Sequence, residues 1–165
     1  MPSPIEQTHY RSVMGHLPTG VVAVSAILPD TGQPWGMVVG TFGSLSLEPA
    51  LVSFSVAHTS TSWPKLRTAG RLCASILAAG QEDVCKALSS KNPDKFAFVE
   101  WTQSPAGAPR IAGAHAWVEC RAVHELDGGD HVIVVAEVTA MDSGDGEPLV
   151  FHKGRLGGYR RPVAV

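Results

Sequence analysis

Cysteine is scarce: Cys73, Cys85 and Cys120 are the only three in 165 residues. An odd number with no CxxC pair supports neither a disulfide framework nor a zinc site, so reduced and mostly buried thiols are expected. Charge is also thin, at 17% with a formal net of −2. With no cluster of Lys and Arg, there is no footprint for nucleic acid, whose phosphates demand concentrated positive charge. Long apolar runs are missing too, since Val21 to Leu28 falls far short of the roughly 20 residues of a spanning helix. Met1 to Tyr10 lacks the basic-then-apolar order of a signal peptide, and a soluble cytoplasmic protein is expected, with no membrane partner.

Several catalytic signatures are absent. The glycines at Gly144 to Gly146 and Gly154 to Gly158 have neither the spacing nor the strand-to-helix context of a dinucleotide fingerprint, and there is no GxxxxGK[ST], HExxH or GxSxG. Seven histidines are present, but no two stand at i, i+2 or i, i+4, so no metal site is expected.

What remains is an ordinary folded composition, 44% hydrophobic with a mean hydropathy of +0.08, enough for one core. Residues 1–8 read as a flexible N-terminal arm and residues 9–165 as one domain, with a short helix from His9 to Leu17 stopped near Pro18. Val21 to Leu28 is β-branched and apolar on both faces, which predicts a strand buried on each side, followed by a Pro29-Asp30-Thr31-Gly32 hairpin turn. Trp35 to Val39, Leu51 to Val56 and Leu72 to Leu77 read as further strands. From Ala114 the chain alternates, with Ala116, Val118, Cys120 and Ala122 on one face. His115, Trp117, Glu119 and Arg121 on the other predict a half-exposed strand. A turn at Gly128-Gly129 leads into a strand from His131 to Val138. Short helices are expected over Trp63 to Ala69, capped by Ser62, and over Glu82 to Leu88. Six or seven strands without βαβ alternation predict a mainly β, antiparallel barrel.

Three segments have the residue types of a binding site. Gly36 to Pro49 begins as a strand and breaks into a loop of small residues, whose N–H groups could approach the edge of a planar heterocycle; a plain strand and turn is the other reading. His58-Thr59-Ser60-Thr61-Ser62-Trp63 sets four hydroxyls before a helix start, either a phosphate cradle or a simple cap. Gly129-Asp130-His131 puts a histidine at a strand mouth, facing a ligand or only solvent.

Taken in order, these segments resemble the flavin reductase-like family, which has an FMN-binding split-barrel fold. Tyr10-Arg11-Ser12-Val13-Met14, Pro18-Thr19-Gly20-Val21, GMVVGTFGSLSLEPALV, AHTSTSW, Gln81, Asp94-Lys95-Phe96, Glu119-Cys120, the GDH triplet and Pro148-Leu149-Val150 with FHKGRLGGY carry the likeness. SSKNPDKFAFVEW and GRLGGY are most similar to reductase components of two-component aromatic or steroid-ring monooxygenases. The resemblance implies an antiparallel split β-barrel with a few short helices, and a homodimer with flavin at the subunit interface. It implies an NADH- or NADPH-dependent reductase of FMN or FAD that supplies reduced flavin by diffusion to a partner monooxygenase. Its site assignments place Val39, Gly40, Thr41 and Phe42 along the flavin ring, His58, Thr59, Ser60, Thr61, Ser62 and Trp63 around the phosphate, and Ser46 among the cofactor-binding residues. Ser90 and Phe96 close the pocket, while His131, as the catalytic residue, Arg155 and Tyr159 face the nicotinamide nucleotide. Many members have Thr where this chain has Val38 and Asn where it has Ser75. Those departures motivate the alternative of a flavin-binding barrel without reductase activity.

Overall fold

Glu6 sets the start of the first helix. In the computed structural model, which describes residues 4–164, its carboxylate accepts hydrogen bonds from the Thr8 and His9 backbone N–H groups, each at 3.0 Å. Helix α1 (Gln7–Met14) therefore begins upstream of the expected His9 and ends at Gly15, well before Pro18. Gln7 and Thr8, expected in the arm, are helical; Met1 to Ser3 and Val165 lie outside the described residues.

A hairpin signal follows and is realised. After the short β1 (Thr19–Gly20), strand β2 (Val22–Ile27) pairs antiparallel with β3 (Pro34–Val39), Ile27 opposite Pro34. Gly32 supplies the positive φ, +68°, that the connection needs. The stretch expected to be loop next forms β4 (Gly43–Leu47), which pairs with β5 (Ala50–Ala57). A one-turn helix α2 (Trp63–Leu66), β6 (Leu72–Ile76) and helix α3 (Glu82–Ser89) come next. Two three-residue strands, β7 (Trp101–Gln103) and β8 (Pro109–Ile111), form a small hairpin. The long pair β9 (Ala116–Gly128) and β10 (His131–Ser143) turns through Gly129, φ +80°, and Asp130. A last hairpin joins β11 (Leu149–His152) to β12 (Arg155–Gly158).

The fold is mainly β, with antiparallel sheets and three short helices among the described residues. Seven strands run in the order β3-β2-β6-β9-β10-β5-β4, every pair antiparallel. Beside it stand a β1-β11-β12 sheet and the β7-β8 hairpin. The strands not foreseen are short or built of small residues, so they carry little hydrophobic period of their own.

Both faces of β2 are buried, for the reason its sequence suggests. Val22, Val24 and Ala26 enter one core with Phe54, Leu66, Leu72 and Val134, while Val21 and Ala23 enter a second with Leu77, Leu88, Phe96 and Leu149. The period of 2 along a strand sends alternate side chains to these two cores. Truncating Phe54, at the centre of the first, to Ala is expected to cost about 3–5 kcal/mol.

Strand β9 departs from its expected half-exposure. Glu119 is 2% exposed, because the β7-β8 hairpin lies over the first half of its face. The Ser104 hydroxyl and the Ala106 N–H both donate to the Glu119 carboxylate, and Arg110 sits 5.2 Å above the Trp117 ring. Cys73 and Cys120 are buried and Cys85 is half-buried, all three as free thiols.

Candidate functional site

Helix α3 packs Leu88 into the second core, against which Val38 of β3 also packs. This contact leaves a groove between the end of α3, strand β3 and the segment leaving β5. Its volume is 430 Å³, and its walls include Val38, Val39, Thr59, Ser60, Thr61, Ser62, Ser89 and Ser90. A second cavity of 270 Å³ shares Val38, Val39 and Ser89 and adds Thr19, Gly20, Gly40, Phe151 and Leu156. The two together form a hydroxyl-lined trough opening into a more apolar slot, a common construction for a ligand with a planar ring and a polar tail.

Of the expected site residues, Val39, Gly40, Thr59, Ser60, Thr61, Ser62 and Ser90 line this pair of cavities. A Cβ on Gly40 would come within 3.1 Å of Thr19 Oγ1, so glycine there keeps the slot open. Thr19 Oγ1 is itself buried without a hydrogen-bond partner in the chain, a polar atom at the wall of an apolar slot. Such orphaned groups are rare unless something else satisfies them.

Other expected residues are turned elsewhere. The Thr41 hydroxyl accepts from the Ser55 N–H at 2.8 Å and donates to the Ser55 carbonyl at 3.3 Å, so it pins β5. Phe42 stacks on Phe54 with ring centres 6.1 Å apart, and Trp63 meets Phe54 edge-on at 5.5 Å. Trp63 also donates from Nε1 to Glu125 at 3.0 Å. Phe96 is buried in the second core beneath Gly36. These aromatic rings find apolar partners inside the chain, where their area is removed from water. His58 faces the β9-β10 turn, its ring 3.1 Å from the Gly129 carbonyl, and Ser46 stands on edge strand β4 opposite Leu51. None of these six lines the groove or the slot.

Capping also differs from expectation. Ser60, and not Ser62, accepts from the Trp63 N–H, at 3.2 Å. The one-turn α2 offers little dipole to an anion.

A positive charge does stand in the groove wall, that of Lys95, which no periodicity pointed to. Its side chain lines the groove at 7% exposure, and its ammonium donates to the Gly36 carbonyl (3.1 Å), the Leu88 carbonyl (2.9 Å) and the Ser62 hydroxyl (3.0 Å). Burial, and then the nearby Lys65, pull its pKa below the usual lysine value. Ser75, by contrast, lies away from the groove: its hydroxyl accepts from the Ile111 N–H at 3.0 Å and anchors β8. Its difference from Asn therefore removes no groove contact, whereas Val38 does present an apolar side chain to the groove.

His131 opens β10 opposite Ala57, whose side of the chain borders the groove. Its Nδ1 is 2.6 Å from an Asp130 carboxylate oxygen, and this hydrogen bond holds the Asp130 pKa below the usual carboxylate value. Arg155 and Tyr159 line cavities of 570 and 500 Å³ on the β11-β12 hairpin, neither of which includes His131. The hairpin reaches the slot through Phe151 and Leu156.

The family model described as "Flavin reductase like domain" matches residues 14–160. This chain belongs to the flavin reductase-like family. It is 41% identical over 158 residues to a flavin reductase of Pseudomonas putida, covering 95% of this chain and 92% of that protein. It is 37% identical over 162 residues to the flavin-dependent monooxygenase reductase subunit HsaB of Rhodococcus jostii, covering 98% and 82%. Among solved structures it is similar to the Streptomyces globisporus NADH:FAD oxidoreductase SgcE6 in complex with NAD and FAD fragments. There the TM-score is 0.86 at 33% identity, over 99% of this chain and 96% of that one. As a flavin reductase-like protein, its groove and slot are to be tested for fit to a flavin. The unpartnered Thr19 hydroxyl in the slot and the ammonium without a carboxylate in the groove match a ring with polar edges and a phosphate-bearing tail.

Proposed function

We propose that this protein is an NAD(P)H:flavin oxidoreductase that reduces FMN or FAD and supplies the reduced flavin to a separate monooxygenase. The observation that carries this reading is the hydroxyl-lined groove backed by Lys95 and opening into the Thr19-Gly40 slot, in a chain similar to reductase components of monooxygenases. Val38, Val39 and Gly40 would hold the flavin ring, and Thr59 to Ser62 its phosphate. A bound flavin supplies the two-electron acceptor for hydride from the nicotinamide. The chain's part is positioning: β3 gives the ring a flat floor, and the hydroxyl segment fixes the tail. No side chain need transfer a proton, because orienting two rings in contact accounts for most of the required acceleration.

Closure of the seven-stranded sheet into a split barrel is supported by its topology. The edge strands β3 and β4 are joined by only Gly40, Thr41 and Phe42, a link that spans at most about 14 Å. A homodimer would give cover to exposed apolar side chains, Leu47 at 96% and Phe98 at 98% among them, whose burial is favourable. Release of reduced flavin by diffusion suits a groove in which Thr59 and Thr61 are exposed, and a cytoplasmic site is where the nicotinamide pool would be met.

The purified protein is expected to oxidise NADH or NADPH when FMN or FAD is added, followed as falling nicotinamide absorbance. Absence of turnover with every pairing overturns the proposal. His131→Ala is expected to raise the nicotinamide KM about tenfold, a contact worth about 1.4 kcal/mol, with the flavin KM little changed. Equal effects on both would remove His131 from the nicotinamide side.

A further inference from the structure

We propose that Lys95 is a positioning residue for anion recognition, holding the Ser62 hydroxyl so that its proton points into the groove at a phosphate of the flavin nucleotide. This inference rests on the flavin reading above.

The argument begins with donor arithmetic. An ammonium has three N–H donors, and Lys95 directs one each to Gly36 O, Leu88 O and Ser62 Oγ. All three are engaged, so Lys95 has no donor left for a ligand. Its influence must pass through whichever partner faces the groove. Gly36 is not among the groove walls; Leu88 and Ser62 both are, and of those two it is Ser62 that meets Lys95 through a hydroxyl, which has a proton of its own to give.

A hydroxyl accepts through its lone pairs and donates its single proton. Since Lys95 donates to Ser62 Oγ, the Ser62 proton is turned away from the lysine. Among the described residues the bond from Lys95 is the one hydrogen bond that hydroxyl makes, and it does not cap α2. The residue is 5% exposed, so its rotation is confined by packing, and the remaining direction is the groove. A donor polarised by an adjacent cation makes a stronger hydrogen bond to an anion than an ordinary hydroxyl does.

Charge points the same way. None of the ion pairs among the described residues includes Lys95, so the buried positive charge has three neutral acceptors and the face of the Trp35 ring, 5.0 Å away, but no counter-charge. Burying such a charge is unfavourable unless a counter-charge completes the pair. Its depressed pKa reports that unfavourable burial. A bound phosphate group would supply the missing charge one hydroxyl away. The consequence is discrimination: phosphorylated flavins, which carry the anion, should be preferred over riboflavin, which shares the ring and lacks it.

The test titrates FMN and riboflavin into the full-length protein and its variants, reading flavin fluorescence. The wild type is expected to prefer FMN. Ser62→Ala and Lys95→Met should each weaken FMN at least tenfold and leave riboflavin within twofold. Combining them should lose little beyond the Lys95→Met effect, because both changes remove the same oriented donor. Ser62→Ala leaves the two carbonyl bonds of Lys95 in place, and it decides should Lys95→Met not fold: an unchanged FMN-to-riboflavin ratio in Ser62→Ala overturns the assignment. Additive losses in the double variant overturn the relay. A wild type that binds neither flavin overturns the flavin reading itself, and the inference falls with it; binding of both flavins with no preference for FMN overturns the inference alone.

Discussion

Two charged side chains are buried among the described residues, Glu119 at 2% and Lys95 at 7% exposure, and their surroundings differ in kind. Glu119 is closed in: Ser104 Oγ and the Ala106 N–H donate to one carboxylate oxygen and Thr139 Oγ1 to the other, with Arg71 near enough to act on its charge. Its network ties the segment between β7 and β8 onto β9 and β10 and meets no cavity described above. Lys95 holds β3 and α3 together through two carbonyls, but its third partner lines the groove and its charge, 5.0 Å from the centre of the Trp35 ring, has no carboxylate partner. A buried charge whose network closes on the protein is structural; one whose network stops at a cavity wall is prepared for a ligand.

The largest expected effect tests the closed side. Glu119→Leu strips an acceptor from three donors and leaves Arg71 without its neighbouring anion, so urea unfolding should show a loss of about 3–5 kcal/mol. Lys95→Met also takes a donor from three acceptors, yet it removes with them a buried charge that has no counter-charge, and the relief of that desolvation offsets part of the loss. Its loss should stay under about 2 kcal/mol. If Lys95→Met proved the more destabilising of the two, the contrast between closed and open networks would be wrong.

The two charges should also respond to pH with opposite signs. Burial raises the Glu119 pKa, but the bonds from Ser104, Ala106 and Thr139, with Arg71, outweigh it and hold the group below the usual carboxylate value. Its stabilisation is therefore full above the unfolded-state pKa and is lost as pH falls through the depressed folded value. For Lys95 the folded value lies below the unfolded one, so between them the unfolded chain binds more protons. Stability then rises with pH across that alkaline window, as the buried ammonium is discharged. Unfolding curves over a pH series should show the advantage of wild type over Glu119→Gln shrinking toward acid. Against Lys95→Met, wild type should gain toward alkali.

How legible these features were in the sequence depended on distance along the chain. VVAVSAIL announced β2 because its pattern is local, and Pro29-Asp30-Thr31-Gly32 and Gly128-Gly129 announced turns through backbone preference, the second falling one residue later, at Gly129-Asp130. Strand β4 did not, since Gly43-Ser44-Leu45-Ser46-Leu47 becomes a strand by pairing with β5 and not by a period of its own. The alternation in β9 was read correctly as a strand, but the cover over Glu119 comes from three-residue strands that leave no mark in its own sequence. At the site, the hydroxyl run and the small Val39-Gly40 pair were visible as residue types suited to a ligand. Phe42, Trp63 and Phe96, which the resemblance assigns to the flavin site, pack in or against the cores, a placement that depends on contacts distant in sequence. Lys95 stood in the sequence only as part of the Asp94-Lys95-Phe96 likeness, without a role, since its burial arises from a partner 59 residues away, Gly36.

The finest test of the contrast lies in the two serines that serve the two charges. Ser104 and Ser62 are both nearly inaccessible, at 4% and 5% exposure, and each hydroxyl is bonded to its buried ion. Ser104→Ala takes a donor from a carboxylate that water cannot reach and an acceptor from the Ala108 N–H, so it should cost about 2–3 kcal/mol of stability. Ser62→Ala leaves one ammonium donor free at a groove wall, where water can replace the lost acceptor, and should cost less than about 1 kcal/mol. A pair of unfolding curves distinguishes them. Equal losses would mean that the groove end of Lys95 is as sealed as the carboxylate of Glu119, and that its third hydrogen bond is there to hold the fold.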